Sequence, residues 1–452
     1  MDLKEIADAT GNSLLAKNNV IEYIVTDSRE VIKGDLFISL KGINHDGNMF
    51  LPEVKSKGGL VMSQSSCLAD IYVTDSLSAL LLLASHYLNK LTNLTKKIAI
   101  TGSVGKTTTK EFLKSILSAK YKIHANSGNF NNALGMSLSV LSCPVDTEVI
   151  IMEMGMNHRG EISSLSSCLR PDIAVITNIG TSHIGNFDNR GAIAKAKLEI
   201  ANGMSGGPII TPYEEVLLSK TKGRRSYSIS NSSADFYLMQ NKDGSLCIFH
   251  NGFPVCKFLF QFEEDHLKKC LAAAIGAALS AGISSHQLSQ GISNISDDNT
   301  RQKIISLKNI NFYTDYYNAS LESMSACINH LKNHFINQRK SLVLGDILEL
   351  GDYSERIHRK IGSLIHSHDF HNIFLFGDQS RYIGEEAISK GFPTERIFYN
   401  ENTERPEITA MQIIHNSVPS ELILVKASRA MKMERIMKQI KMLIEEDNYY
   451  GN

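Results

Sequence analysis

The stretch IAITGSVGKTTT, residues 98–109, decides how this chain is read. Ile98, Ala99 and Ile100 form an apolar run that gives way to Thr101, Gly102, Ser103, Val104, Gly105, Lys106, Thr107 and Thr108. A helical pattern follows through Glu111, Phe112, Leu113, Ile116 and Leu117. A buried strand running through a glycine-bearing turn into a helix lets backbone N–H groups and the positive helix end surround phosphate oxygens. Gly102 and Gly105 allow the backbone conformations such a turn needs. Lys106 supplies a point charge to the phosphates, and the hydroxyl of Thr107 or Thr108 a magnesium ligand. Position 100, where the longer GxxxxGKT form has its first glycine, is isoleucine, so the loop is a compact TGxxGKT. It predicts a nucleoside triphosphate site.

Working outward, 452 residues suit about three domains, each with its own core. Lys plus Arg equals Asp plus Glu at 47 each, so no net field favours nucleic acid or anionic membrane, and a phosphate-rich ligand must be held by local groups. Seven cysteines with no CxxC pair read as reduced thiols of a cytoplasmic protein, not as a disulfide framework or zinc ribbon. The N-terminal MDLKEIADATGNSLL is amphipathic and acidic, unlike a signal peptide. The most apolar window, 77–88, is too short to span a bilayer and predicts a buried helix.

Residues 1–90 carry short strand patterns at 23–25, 36–40, 60–62 and 71–73, and read as a small α/β domain. The polar stretch 89–97 leads into the phosphate-loop strand. Across 91–299, apolar runs at 148–154, 173–179 and 208–211 alternate with helical patterns, as buried parallel strands of a doubly wound sheet do. Residues 226–260 predict antiparallel hairpins turning at Asp243-Gly244 and Asn251-Gly252, followed by a helix over 267–281. The polar run SDDNTRQK marks a boundary near 300, and residues 300–452, with strands at 312–315, 340–344, 373–376 and 422–425, predict a Rossmann-like α/β domain. The expected fold is thus α/β throughout, a central P-loop-type parallel sheet flanked by two further α/β domains.

Glu153 ends a strand of Val, Ile and Met, which puts a carboxylate at the sheet edge where open α/β sheets bind ligands, a candidate magnesium contact. The 173–179 strand delivers Asn178 and then His183 to the same edge, and Lys197 and Glu199 follow on the next helix. A lysine near magnesium is a contradiction, since ammonium cannot ligate a metal. Two readings of Lys197 follow: a carbamylated lysine, whose added carboxylate supplies hard oxygens, or a surface lysine on an amphipathic helix.

The motifs continue in order along the chain. They are TDSREVIKGDLFISLKGINHDG at 26–47, TGSVGKTTTKE at 101–111, GNFNNALG at 128–135 and EMGMNHRGEI at 153–162. RPDIAVITNIGTSHIGNF at 170–187 and AKAKLEI at 194–200 come next. DYYNAS at 315–320, LGDILELG at 344–351 and VKASRAMKMERI at 425–436 complete the series. In these the sequence resembles the Mur ligases, ATP-dependent amide-forming enzymes of peptidoglycan precursor synthesis, over nearly the whole chain. The last three motifs match the branch that adds D-alanyl-D-alanine to the C-terminal carboxylate of UDP-N-acetylmuramoyl-tripeptide.

The resemblance implies that Thr101 to Thr108 cradle ATP with Lys106 on its terminal phosphates, and that Thr107 or Thr108 with Glu153 holds one magnesium. It implies that His183 contacts a second. The family's carbamylated lysine lies fourteen positions after that histidine, at Lys197 and not Lys195. Arg301, Asp315 and Asn318 are implied to contact adenine, ribose or phosphate. Asp27, Ser28 and Arg29 belong to the UDP-sugar region, Asn129 and Asn132 to the substrate side, and Lys426, Ser428 and Arg429 to the central cleft. A monomeric cytoplasmic enzyme is expected, with neither nucleic acid nor membrane insertion. The chain departs from the family at EEDHLKKCLAAA, residues 263–274, where His266 stands near the expected asparagines, and at Ala427, where glycine is usual.

Overall fold

The computed structural model describes residues 1–42, 46–296 and 303–450. Its strands form three sheets that follow one another along the chain. The first has the order Ser13–Leu14, Ile71–Tyr72, Leu60–Ser63, Leu36–Ile38, Ile24–Val25, parallel except for its first strand. The helix Ser76–Lys90, predicted from the apolar window, serves two cores. Ala79, Leu80 and Leu83 pack under this first sheet, whereas Ala84 and Leu88 pack on the helices of the central one. Among the described residues no helix is long and apolar enough to cross a membrane.

The central sheet has nine strands. Seven run parallel, in the order Phe236–Gln240, Arg224–Ser228, Ile209–Pro212, Ile173–Ile176, Lys96–Thr101, Val149–Glu153, Ile123–Ala125. Side chains alternate faces along a strand, and the two cores follow that period. Ile98, Ile100, Val149, Ile151, Ile173 and Val175 meet Phe112, Leu113 and Ile116 of the helix Lys106–Leu117 and the alanines of the helix Asp265–Ser280. Ala99, Ile150, Met152, Ala174 and Ile176 point the other way, toward Met136, Val140, Ile162 and Leu165.

The expected hairpins begin later than the sequence indicates. Arg224–Ser228 pairs in parallel with Phe236–Gln240, and only from there do Leu246–His250 and Phe253–Phe258 add antiparallel. Tyr227 and Ser228 are buried inside the sheet, which an edge hairpin would leave half solvated. The turn at Asn251-Gly252 is tight, with both residues at positive φ (50° and 82°), the conformation a two-residue hairpin loop demands.

The third sheet has the order Lys303–Leu307, Ile310–Thr314, Leu422–Lys426, Lys340–Gly345, Ile373–Phe376, Ile397–Asn400, parallel after its first strand. Phe312, Val343, Phe374, Ile423 and Val425 face Ala410, Ile413, Met437 and Ile440, and the alternate residues Leu342, Leu344, Ile373, Leu375 and Leu424 face Met324, Ile328, Leu331 and Ile361. Helices cover both faces, the Rossmann-like arrangement expected.

Candidate active site

The strand Lys96–Thr101 brings the phosphate loop to the C-terminal edge of the central sheet, and the helix Lys106–Leu117 starts directly behind it. Gly102 has φ +151°, and a Cβ there would lie 1.8 Å from Thr177 Oγ1, so no side chain fits. Gly105 (φ +80°) precedes the helix, and no side chain caps its N-terminus, which keeps the positive end of the dipole on the cavity that Lys106, Thr107 and Thr108 line. The neighbouring strand braces the loop. Ser103 and Val104 N–H both donate to Asn178 Oδ1 at 2.9 Å, Gly180 N–H donates to Ser103 Oγ at 2.9 Å, and Thr177 Oγ1 donates to Val104 O at 2.6 Å. Lys106 Nζ reaches back to Gly102 O at 2.9 Å. Thr101 lies behind, its hydroxyl donating to Met154 O at 2.9 Å.

Glu153, 2% exposed, is fixed at the end of its strand. Thr107 Oγ1 donates to its Oε2 at 2.7 Å and Asn131 Nδ2 to its Oε1 at 2.8 Å, while Asn126 bonds its backbone N–H and C=O at 2.9 Å each. Of the two threonines, Thr107 is the one whose hydroxyl meets this carboxylate. Asn131 and Asn126 escaped the sequence reading, although Asn131 stands inside the GNFNNALG motif. The asparagines named there have other placements: Asn132 caps the helix Ala133–Leu141 by accepting from Gly135 N–H at 2.8 Å, and Asn129 is exposed.

Lys197 is 3% exposed on the helix Arg190–Leu198, and Lys195 on the same helix is exposed. The Lys197 amine makes no hydrogen bond or ion pair among the described residues. Burial, and then the charge of Lys106, pushes its amine well below the usual lysine range. The surface-lysine reading therefore fails on burial. Glu199 does not join the site: its carboxylate accepts from Gly160 N–H at 2.9 Å, at the start of the helix Glu161–Leu169. His183 has φ +61°, and its Nδ1 contacts Glu349 Oε2 in the third sheet's LGDILELG segment. Among the described residues no three His, Cys, Asp or Glu side chains are spaced to hold a metal by themselves.

The cavity, about 510 Å³, is walled on its far side by the third domain. Asp315, Asn318 and Lys426 line it together with His266 and the phosphate loop. Lys426, 1% exposed, donates to Asp315 Oδ2 at 2.6 Å, Asp315 O at 3.0 Å and Asn318 O at 3.1 Å, so it organises this loop from within. Glu322 on the helix Leu321–His334 accepts from Thr181 N–H at 2.9 Å and Thr181 Oγ1 at 3.2 Å, joining the third domain to the central one. Ser428 Oγ accepts from Leu348 N–H at 2.9 Å, Arg429 bonds Glu434 at 2.9 and 3.0 Å, and Arg301 lies outside the described residues. On the first sheet's side Arg29 is bonded to Asp27, whose carboxyl it holds down at about 2, and Ser28 O accepts from Lys57 Nζ at 2.9 Å.

A phosphate loop on a parallel sheet, facing a Rossmann-like domain across one cavity, is the plan of a ligase that uses a nucleoside triphosphate. Family models match accordingly: the Mur ligase middle domain over residues 100–256, and the Mur ligase glutamate ligase domain over residues 300–429. The chain belongs to the Mur ligase family. It is 34% identical to the UDP-N-acetylmuramoyl-tripeptide–D-alanyl-D-alanine ligase of Bacillus subtilis, covering 97% of this chain and 98% of that one. It is 27% identical to the enzyme of that name from Escherichia coli, covering 97% and 98%. The crystal structure of MurF from Acinetobacter baumannii superposes with a TM-score of 0.85 at 27% identity, over 97% of this chain and 98% of that one. MurF ligase of Thermotoga maritima in complex with ADP gives 0.79 at 25% identity, over 94% and 98%.

Proposed function

We infer that this chain joins the amino group of D-alanyl-D-alanine to the C-terminal carboxylate of UDP-N-acetylmuramoyl-tripeptide, converting ATP to ADP and phosphate, in peptidoglycan precursor synthesis. The observation that carries the reading is the cavity in which the phosphate loop faces Asp315, Asn318 and Lys426. The proposed division is residues 1–90 for the uridine nucleotide, with Asp27, Ser28 and Arg29, then 91–299 for ATP and 300–452 for the C-terminal domain. The reaction is assigned to the cytoplasm, where ATP is available.

A carboxylate does not condense with an amine at neutral pH, because its oxygen is a poor leaving group. Transfer of the γ-phosphoryl group to that oxygen gives an acyl phosphate and releases ADP. The amine nitrogen then attacks the acyl carbon, the carbon–oxygen bond to phosphate breaks, and a proton leaves the nitrogen. Lys106 and the uncapped N-terminal end of the helix Lys106–Leu117 hold the phosphates in line for the first step. Asp315 and Asn318, steadied by Lys426, hold the nucleoside. Contact between the third and central domains keeps water from the acyl phosphate.

Thr107 Oγ1 and Glu153 Oε2, two hard oxygens 2.7 Å apart beside the loop, fit a magnesium ion. Bound there, magnesium supplies positive charge against the anionic triphosphate and carboxylate. His183 and Lys197 are proposed for a second ion. Lys197 fits that role as a carbamate: burial favours the uncharged amine, which adds carbon dioxide and loses a proton, and the new carboxylate answers the charge of Lys106.

The test is ADP release from ATP and magnesium with tripeptide substrate alone, dipeptide alone, and both. Release only with both, together with a pentapeptide product, is expected. Release indifferent to either makes the chain an NTPase that couples hydrolysis to something else. Lys197→Ala is expected to lose most activity and to regain part with added short carboxylates; full activity without them overturns the carbamate assignment.

A further inference from the structure

The loop between Asn178 and Gly185 is held from two sides. Asn178 and Gly180 tie it to the phosphate loop, as described, and the third domain grips its far end. There Gly185 N–H donates to Glu349 O at 3.1 Å, and a Cβ on Gly185 would lie 2.6 Å from Gly351 N, so the two backbones touch. Tyr353 OH donates to Asp188 O at 2.7 Å beside this contact. His183 and Glu349 meet across it, both at positive φ (61° and 62°), which non-glycine residues adopt only where the surroundings enforce it. Glu349 Oε2 lies in close contact with His183 Nδ1, a buried nitrogen that has no hydrogen-bond partner elsewhere among the described residues.

An imidazole presents one nitrogen to a ligand, and the partner of its other nitrogen decides which one and at what angle. The partner here comes from a different domain. We propose that Glu349 is a positioning residue that locks the ring of His183, so that the histidine is aimed only when the third domain is docked against the central one. Phosphoryl transfer then waits for the domain that completes the site, and ATP is not spent on an open enzyme. This deepens the ligase reading and rests on it.

The segment between the strand Lys340–Gly345 and Glu349 explains how one side chain is held so firmly. Ile347 N–H donates to His358 Nε2 at 3.0 Å, and His358 Nδ1 bonds Ser354 O at 2.8 Å. Leu348 N–H is taken by Ser428, so the segment is pinned on both sides before it turns at Glu349.

Glu349→Gly removes the carboxylate and also relieves the positive φ, so a loss cannot be blamed on backbone strain. Glu349→Gln keeps an oxygen that can accept from Nδ1. The Gly variant is expected to lower kcat by about 10–100-fold and to raise the magnesium concentration for half-maximal rate, leaving KM for the UDP substrate within about twofold. The Gln variant is expected to recover most of the rate. Independently of turnover, the ring ¹⁵N resonances of His183, identified by their absence in His183→Gln, are expected to report an Nδ1–H tautomer in the native protein and a changed one in the Gly variant. Unchanged resonances and unchanged kcat in the Gly variant of an enzyme that makes pentapeptide overturn the proposal. If the native protein makes no pentapeptide, the ligase reading fails instead, whatever the ring resonances show.

Discussion

Asp346, just past the strand Lys340–Gly345, offers a titration whose sign and size both follow from its surroundings. It is 6% exposed, its Oδ1 accepts from Ser380 N–H at 2.7 Å, and a Cβ on Gly377 would lie 2.6 Å from its carboxyl, so solvent is kept away. Burial outweighs the backbone donors and raises its pKa from 3.8 to about 6. Because the folded value is the higher one, the native state binds more protons than the unfolded chain between these pH values, and stability falls as pH rises through that window. Two units at 1.36 kcal/mol each amount to about 3 kcal/mol, of which about 2 kcal/mol falls between pH 4.5 and 7.5. Asp346→Asn cannot titrate, yet its amide oxygen can still accept from Ser380. Urea-dependent hydrogen exchange of peptides covering the strand Lys340–Gly345, read at both pH values, isolates the unit that contains Asp346 from the rest of a multidomain chain. Native minus variant stability is expected to drop by about 2 kcal/mol from pH 4.5 to 7.5. A difference that is flat, or that grows with pH, would falsify the reasoning.

Gly102→Ala should weaken ATP binding at least tenfold in calorimetry, and adding Thr177→Gly should restore only part, since the 1.8 Å contact goes but the backbone strain of about 1–3 kcal/mol stays. Lys426→Met leaves the Asp315 carboxylate without its buried cation; denaturant titration should show a loss of about 3 kcal/mol or more, and KM for ATP should rise. Asn131→Ala should cut kcat by removing a donor from Glu153, whereas Asn132→Ala should cost about 1 kcal/mol of stability through its helix cap and leave kcat within a few fold.

Interior strands were plain in the sequence because burial on both faces makes them continuous apolar runs, as at 149–153 and 373–376. Strands such as Ile123–Ala125, Lys303–Leu307 and Ile397–Asn400 were not, because they lie at sheet edges, where exposed positions break that signal. Arg224–Ser228 sits within the sheet but opens with two arginines, which masked it. The turn from the strand Lys96–Thr101 into the helix Lys106–Leu117 was legible, since glycine, lysine and threonine each have a local reason to be there. The bonds from Asn131 to Glu153, from Glu322 to Thr181 and from Glu349 to His183 were not. They join segments far apart in the chain, and no local pattern encodes which carboxylate a folded loop will meet.

The helix Ser76–Lys90 gives Leu80 and Leu83 to the core beneath the first sheet and Ala84 and Leu88 to the core of the next, and Tyr87 OH donates across to Cys143 O at 2.7 Å. A boundary drawn after residue 90 therefore divides the sequence without dividing the packing. A chimera that imported a foreign N-terminal domain would fit only if the surfaces of the helices Ala133–Leu141 and Glu161–Leu169 were imported with it, so these two modules are expected to be inherited as a pair.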